Sequence, residues 1–267
     1  MWSIFWRIIK DRRTSLLIYC IVTVLLLWMY IALFPAFQKQ SASMEQLIKG
    51  YPESFMKAFN FDIKSFTTLE GFLSTEQYSF VWPLMVVLLM VGYAGAALAG
   101  EIEKGTIEIL LSQPVSRFKL YLSRYLAGLF MLVIFVSVSV YSAIPISKIY
   151  DINFSAGNFN SLALLGLMFS LAIYSIGYML SAIFSDRGKV FFLSGGILIA
   201  TYVLNIVSSL KDSLSDLKYF SFFYYFNPAK ALAHNQIDNW SYLVFLGLAL
   251  FCFIFGAIIF LKKDITT

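Results

Sequence analysis

Residues 78–100 read YSFVWPLMVVLLMVGYAGAALAG, with no Asp, Glu, Lys, Arg or His anywhere in the run. At about 1.5 Å of rise per residue, a helix of that length covers roughly 34 Å, and the hydrocarbon core of a bilayer is about 30 Å thick. A helix that is apolar on every side needs lipid or protein on every side. The stretch therefore predicts a membrane span. Within it, Gly92, Ala96 and Gly100 recur every four residues, with Gly95 and Ala99 beside them. That small-residue stripe predicts close approach to a neighbouring helix.

Five further runs have the same character: 15–34, 125–147, 161–185, 190–210 and 241–261. Across the chain, 60% of residues are hydrophobic and 13% charged, with a mean hydropathy of +0.77. A soluble domain carries roughly 45–50% apolar and about 25% charged residues. The expected fold is all-α, a polytopic integral membrane protein with six transmembrane helices in a single transmembrane domain, residues 1–267. The first run far exceeds the roughly 7–15 apolar residues of a signal-peptide core, so it reads as a retained helix. Cys20 and Cys252 both fall inside apolar runs, where they act as small packing residues and form neither a disulfide framework nor a zinc site.

Lys and Arg divide unevenly between the two sets of connections. Twelve fall on the side holding both termini and the second and fourth connections, and eight are spread over the much longer loops opposite. Positive residues are retained in the cytoplasm, so both termini are expected there. With no organelle-targeting pattern, a bacterial plasma membrane is the expected location. The net charge of +5 is explained by these flanks, and basic residues do not cluster with exposed aromatics as a nucleic-acid surface requires.

In residues 2–13, Trp2, Phe5, Trp6 and Ile9 recur at helical spacing among Arg7, Lys10, Arg12 and Arg13. Aromatics at headgroup depth and basic groups against anionic lipid predict an amphipathic helix lying in the inner interface. On the outer side, Met44, Leu47, Ile48 and Tyr51 predict short amphipathic pieces resting on the bilayer. Phe222 to Phe226 read as an interfacial aromatic belt, and Asn227-Pro228 as the opening of a short helix. His234 and Asp238 lie four apart, which would put them on one helix face, but two ligands do not make a metal site.

The six apolar cores contain no ionisable proton relay or ion ligand of the kind an ion-coupled carrier keeps, and no acids, bases or metal ligands gathered at one depth for catalysis. Their polar groups, Tyr174, Ser175, Tyr178, Ser181 and Asn205, read as hydrogen-bonding contacts between helices. No G-x-x-x-x-G-K-[ST] loop is present to cradle nucleotide phosphates.

The most informative connection is 100–117, GEIEKGTIEILLSQPVSR. Glu101, Glu103 and Lys104 stand where the second span leaves lipid. Gly105-Thr106 can break that helix and cap a new one, and Glu108 falls in its first turn, where a negative charge suits the helix dipole. Ile107, Leu110 and Leu111 form an apolar face, Pro114 stops the helix, and Arg117 begins the return. The region 101–117 thus predicts a short cytoplasmic helix carried between two spans, open to a soluble partner or to the membrane surface.

The run resembles the pattern E-x-E-x-G-T-x-E-x-L-L-x-x-P-x-S-R of permeases in the ATP-binding cassette type-2 exporter family, and nearly every position matches. The resemblance implies a permease subunit with no catalytic role, in which Glu101, Glu103, Lys104, Gly105, Thr106, Glu108, Leu110, Leu111, Pro114 and Arg117 form the region facing the ATPase. It implies as partners a P-loop ATPase in two copies, carrying the ATP and Mg, and a second permease chain, identical or related. An amphiphilic substrate such as a peptide, lipid or drug fits the aromatic outer segments. The other two readings of the residues are an ion-coupled secondary transporter and a non-transport anchor or sensor subunit. Leu193-Ser194-Gly195-Gly196 spells the start of the cassette signature loop, but it lies inside an apolar span and Ile197 replaces the usual glutamine.

Overall fold

The computed structural model describes residues 2–39, 67–107, 115–210 and 212–264, and among these no strand occurs. Six helices are long and apolar enough to cross a membrane: Ile4–Lys39, Leu69–Ala97, Arg117–Ile149, Ala156–Ile183, Arg187–Leu210 and Asn239–Lys262. The all-α, six-span architecture expected from hydropathy is the architecture observed.

The first span belongs to a single helix, Trp2–Lys39. The separate helix expected over 2–13 is therefore its first three turns. Nothing between Arg13 and Ser15 breaks a helix, so the chain runs straight on. At about 1.5 Å per residue its 38 residues reach roughly 57 Å, well beyond the hydrocarbon thickness. The aromatics of this stretch pack together: Trp2 stacks on Phe5 at 5.4 Å, and Phe5 and Trp6 both meet Phe130 of the third span edge-on. Trp2, Trp6 and Phe130 remain exposed. Arg7 pairs with Asp11 one turn on, at 4.0 Å, and Lys10 points outward.

The second span starts nine residues before the apolar run that announced it. The Thr68 hydroxyl accepts from the Gly71 amide and caps Leu69–Leu73, and the segment Ser74–Val81 has wide π turns. Pro83, which lacks an N–H, follows directly, where wider turns accommodate its missing donor and its ring. Glu70, in the stretch before that apolar run, is buried, and its Oε1 accepts the Ser155 amide at 2.6 Å. The outer amphipathic pieces expected around Met44 to Tyr51 lie outside the described residues.

The fourth span is the centre of the molecule. Of its apolar window 78% is buried, against 22% for the first span and 28% for the fifth. It packs on the second, third, fifth and sixth spans, while the first lies along the third. Bilayer lipid provides little hydrophobic drive between spans, so the core depends on close packing and interhelical hydrogen bonds. Trp82 shows both. Its ring stacks with Phe135 and with Phe226, at 6.4 and 5.7 Å, and its Nε1 donates to Ser139 Oγ at 2.8 Å. Its edge lies over Gly166, where an added Cβ would stand 2.9 Å from Cη2. Lower down, the Tyr178 hydroxyl donates to the Tyr121 carbonyl at 2.7 Å, Tyr174 to that of Arg124, and Tyr125 and Ser175 share a hydrogen bond of 2.7 Å. These hydroxyls join helices, as expected.

Three expectations are corrected here. Phe226 is 2% exposed and stacks on Phe169 at 4.3 Å, so the aromatic run does not lie wholly in the interface. Gly92 meets nothing within 4 Å, so the stripe is used only in part: a Cβ at Gly95 would stand 3.4 Å from Arg187 Cγ and 3.6 Å from Val190 Cγ1 of the fifth span, and Ala94, beside the stripe, abuts Gly177 of the fourth. The short helix opened by Asn227 and Pro228 ends at His234, with Asn235 left-handed at φ 53°. Asp238 therefore lies beyond it, at the position just before the sixth span, with its carboxylate paired to Lys230. No cluster of metal-ligating residues occurs among the described residues.

Candidate functional site

The second span ends at Leu98, where φ −120° and ψ −59° break the helix. Two amides freed by the break, those of Leu98 and Ala99, are taken by Ser181 Oγ of the fourth span at 3.3 and 2.9 Å. A short helix, Ala99–Glu103, follows at the new angle. Gly105 then turns the chain at φ +68°, a conformation that favours glycine.

Within this turn the motif side chains reach inward to other spans. Glu101 Oε2 accepts the Thr106 hydroxyl at 2.6 Å and faces Arg124 Nη2 of the third span at 3.6 Å. Thr106 was expected to cap a new helix, but it already has helical geometry and its hydroxyl bonds backward to Glu101. Glu103 Oε2 accepts the Arg187 amide at 3.0 Å, placing a carboxylate at the positive end of the fifth span. Asp186 adds a second acceptor there, for the Lys189 amide. Ile107 is fully buried, while Glu103 and Lys104 are exposed. Glu108, Leu110, Leu111 and Pro114 lie outside the described residues.

The return is fastened in the same way. Ser116 caps the third span by accepting from the Lys119 amide, and Arg117 Nη1 donates to the Lys263 carbonyl at 2.7 Å. Lys263 Nζ in turn donates to the carbonyls of Ala182 and Ile183, which close the fourth span. The turn is thus tied to the third span through Glu101, to the fourth through Ser181 and to the fifth through Glu103. Its far end is tied to the sixth through Arg117. A displacement applied here would reach four spans through side chains already in contact.

Ser181 makes the interhelical contact expected of it, whereas Arg124, Arg187 and Lys263 had not stood out in the sequence. Arg124 had the clearest signal, since Leu120, Tyr121, Arg124, Tyr125 and Gly128 recur at three and four on the buried face of the third span. It is 4% exposed, with Nη1 donating to the Ala97 carbonyl and Nε without a partner. It lines a cavity of about 360 Å³ together with Arg12, Lys104 and Arg187, opposed by Asp11 and Glu101.

Towards the other end, a groove of about 310 Å³ opens between the second and fifth spans. Phe80, Leu84, Phe191, Ile199, Tyr202 and Phe223 are among its walls, and the surface is nearly all apolar. It can accept an aliphatic or aromatic group but offers nothing to a charge.

Compared with known families, residues 2–265 match the family model described as ABC-2 family transporter protein. No curated protein matches the chain.

Proposed function

The chain belongs to the ABC-2 family of transporter proteins, and from that premise we propose that it forms an export pathway for an amphiphilic substrate, driven by a separate P-loop ATPase. It is a membrane permease subunit of an ABC transporter. In the proposed assembly two ATPase subunits dock on the 101–117 region of two permease chains, identical or related. ATP and Mg stay on the ATPase, and the termini lie with it in the cytoplasm. The observation that carries the reading is the fastening of one short turn to four spans. Ser181, Glu101 with Arg124, Glu103 with the Arg187 amide, and Arg117 with Lys263 would convert movement of a docked partner into movement of the bundle. The apolar groove between the second and fifth spans supports an apolar portion on the substrate.

The test is co-purification from native membranes, followed by ATPase assay in proteoliposomes, for wild type and a Glu101→Gln, Glu103→Gln variant. The expected outcome is an ATPase that co-purifies with wild type and that the folded variant releases or leaves unstimulated. A chain that purifies alone, or a variant with undiminished stimulation, would sink the coupling role and return weight to an anchor or sensor subunit.

A further inference from the structure

The cavity at the end of the spans that carries the motif turn has an excess of cationic groups. Four cationic side chains, Arg12, Lys104, Arg124 and Arg187, meet two acidic ones, Asp11 and Glu101. Both acids are already engaged. Asp11 pairs outward with Arg7, and Glu101 takes the Thr106 hydroxyl and faces Arg124. Among the described residues neither Arg12 nor Arg187 forms an ion pair within 4.0 Å, and Arg12 is repelled by Arg187 while Asp11 and Glu101 attract it. Arg124 is more than nine-tenths buried, and its Nε has no acceptor. An unsatisfied N–H of a buried cation carries a desolvation cost that an anion in the cavity would offset.

We propose that this cavity binds a phosphoryl group, held by Arg12 and Arg187 from the first and fifth spans with Arg124 behind them. Guanidinium groups present planar donor forks that match the oxygens of phosphate, and several converging on one space favour a dianion or monoanion with multiple acceptors. The volume of about 360 Å³ lies at the small end of ligand pockets, the size of a headgroup and not of a whole amphiphile. Ile8, Ala96 and Met131 give the cavity an apolar wall, and Ile8 and Arg12 sit in the early turns of the first span beside the aromatic cluster. The phosphoryl group can come from a phospholipid headgroup entering sideways or from free phosphate. The site stands whether or not the chain works with an ATPase.

The experiment is a titration of the purified full-length chain in neutral detergent. It uses three probes: dioctanoyl phosphatidic acid, dioctanoyl phosphatidylcholine and inorganic phosphate. The readouts are thermal unfolding and bound probe counted by native mass spectrometry. Saturable binding of phosphatidic acid or phosphate, tighter than that of phosphatidylcholine, is expected. An Arg12→Gln, Arg187→Gln variant should bind roughly tenfold or more weakly, through loss of two charge-assisted contacts. Phosphatidic acid binding far better than phosphate would assign a lipid source, and equal binding a free oxyanion. Should the double variant not fold, Arg187→Gln alone gives the same reading, since Glu103 engages the Arg187 backbone and not its side chain. Neither probe binding more tightly than phosphatidylcholine, or a variant that binds like wild type, overturns the proposal.

Discussion

Replacing Gly166 by alanine is expected to destabilise the bundle, whereas the same change at Gly92 is not. Both glycines lie within spans, so both substitutions gain helix propensity, about 1 kcal/mol at the upper end. The difference between them isolates packing. At Gly92 the new methyl meets nothing within 4 Å. At Gly166 it would stand 2.9 Å from Trp82 Cη2, 3.3 Å from Cζ2 and 3.5 Å from Val136 Cγ1. The indole is held in place, because Phe135 and Phe226 both stack against it and its Nε1 donates to Ser139. Overpacking of this kind costs about 1–3 kcal/mol, and that range is the expected gap between the two variants. Shortening the indole with Trp82→Phe should recover part of it, so the double variant Gly166→Ala, Trp82→Phe should lose less than the two single losses added. Reversible unfolding in mixed micelles gives all four corners of the cycle. Equal stabilities for Gly166→Ala and Gly92→Ala, or strict additivity with Trp82→Phe, would refute the argument that the indole is clamped.

Other outcomes follow from single contacts. Ser181→Ala leaves the Leu98 and Ala99 amides without their acceptor at the helix break, a loss of about 1–3 kcal/mol measurable by the same unfolding assay. Gly105→Ala forces a side chain into the left-handed region at a cost of about 1–2 kcal/mol, while Gly105→Asn should cost less, as thermal unfolding of the pair will show. In the apolar groove, Phe223→Ala and Tyr202→Ala should lower export with assembly intact, whereas Phe226→Ala should lower stability, because Phe226 belongs to the Trp82 stack. Size-exclusion profiles beside a transport assay separate these two results.

Hydropathy located the spans well because crossing a membrane is a local demand that each stretch meets on its own. The last run, 241–261, became the helix Asn239–Lys262. It failed at the start of the second span, where Glu70 looks like a loop residue and the Ser155 amide that it accepts is 85 positions away. The motif turn was equally half legible. Glu101, Glu103 and Arg117 were visible as charges at a boundary, but what they bind lies on other spans, and pairings such as Glu101 with Arg124 or Arg117 with Lys263 leave no trace in local spacing. Gly92 misled for the same reason. A stripe of small residues marks a helix that can be approached, and which face is used depends on the neighbours.

The central place of the fourth span also sets a schedule. Translation proceeds at about 5–20 residues per second, so the 79 residues from Ile183 to Lys262 take roughly 4–16 s to emerge. During that interval the span sits in the bilayer with the face meant for the sixth still uncovered, and the hook from Lys263 to Ala182 and Ile183 does not yet exist. The nascent protein therefore passes through a five-span stage in which lipid, or an insertion factor, occupies the seat of its last helix.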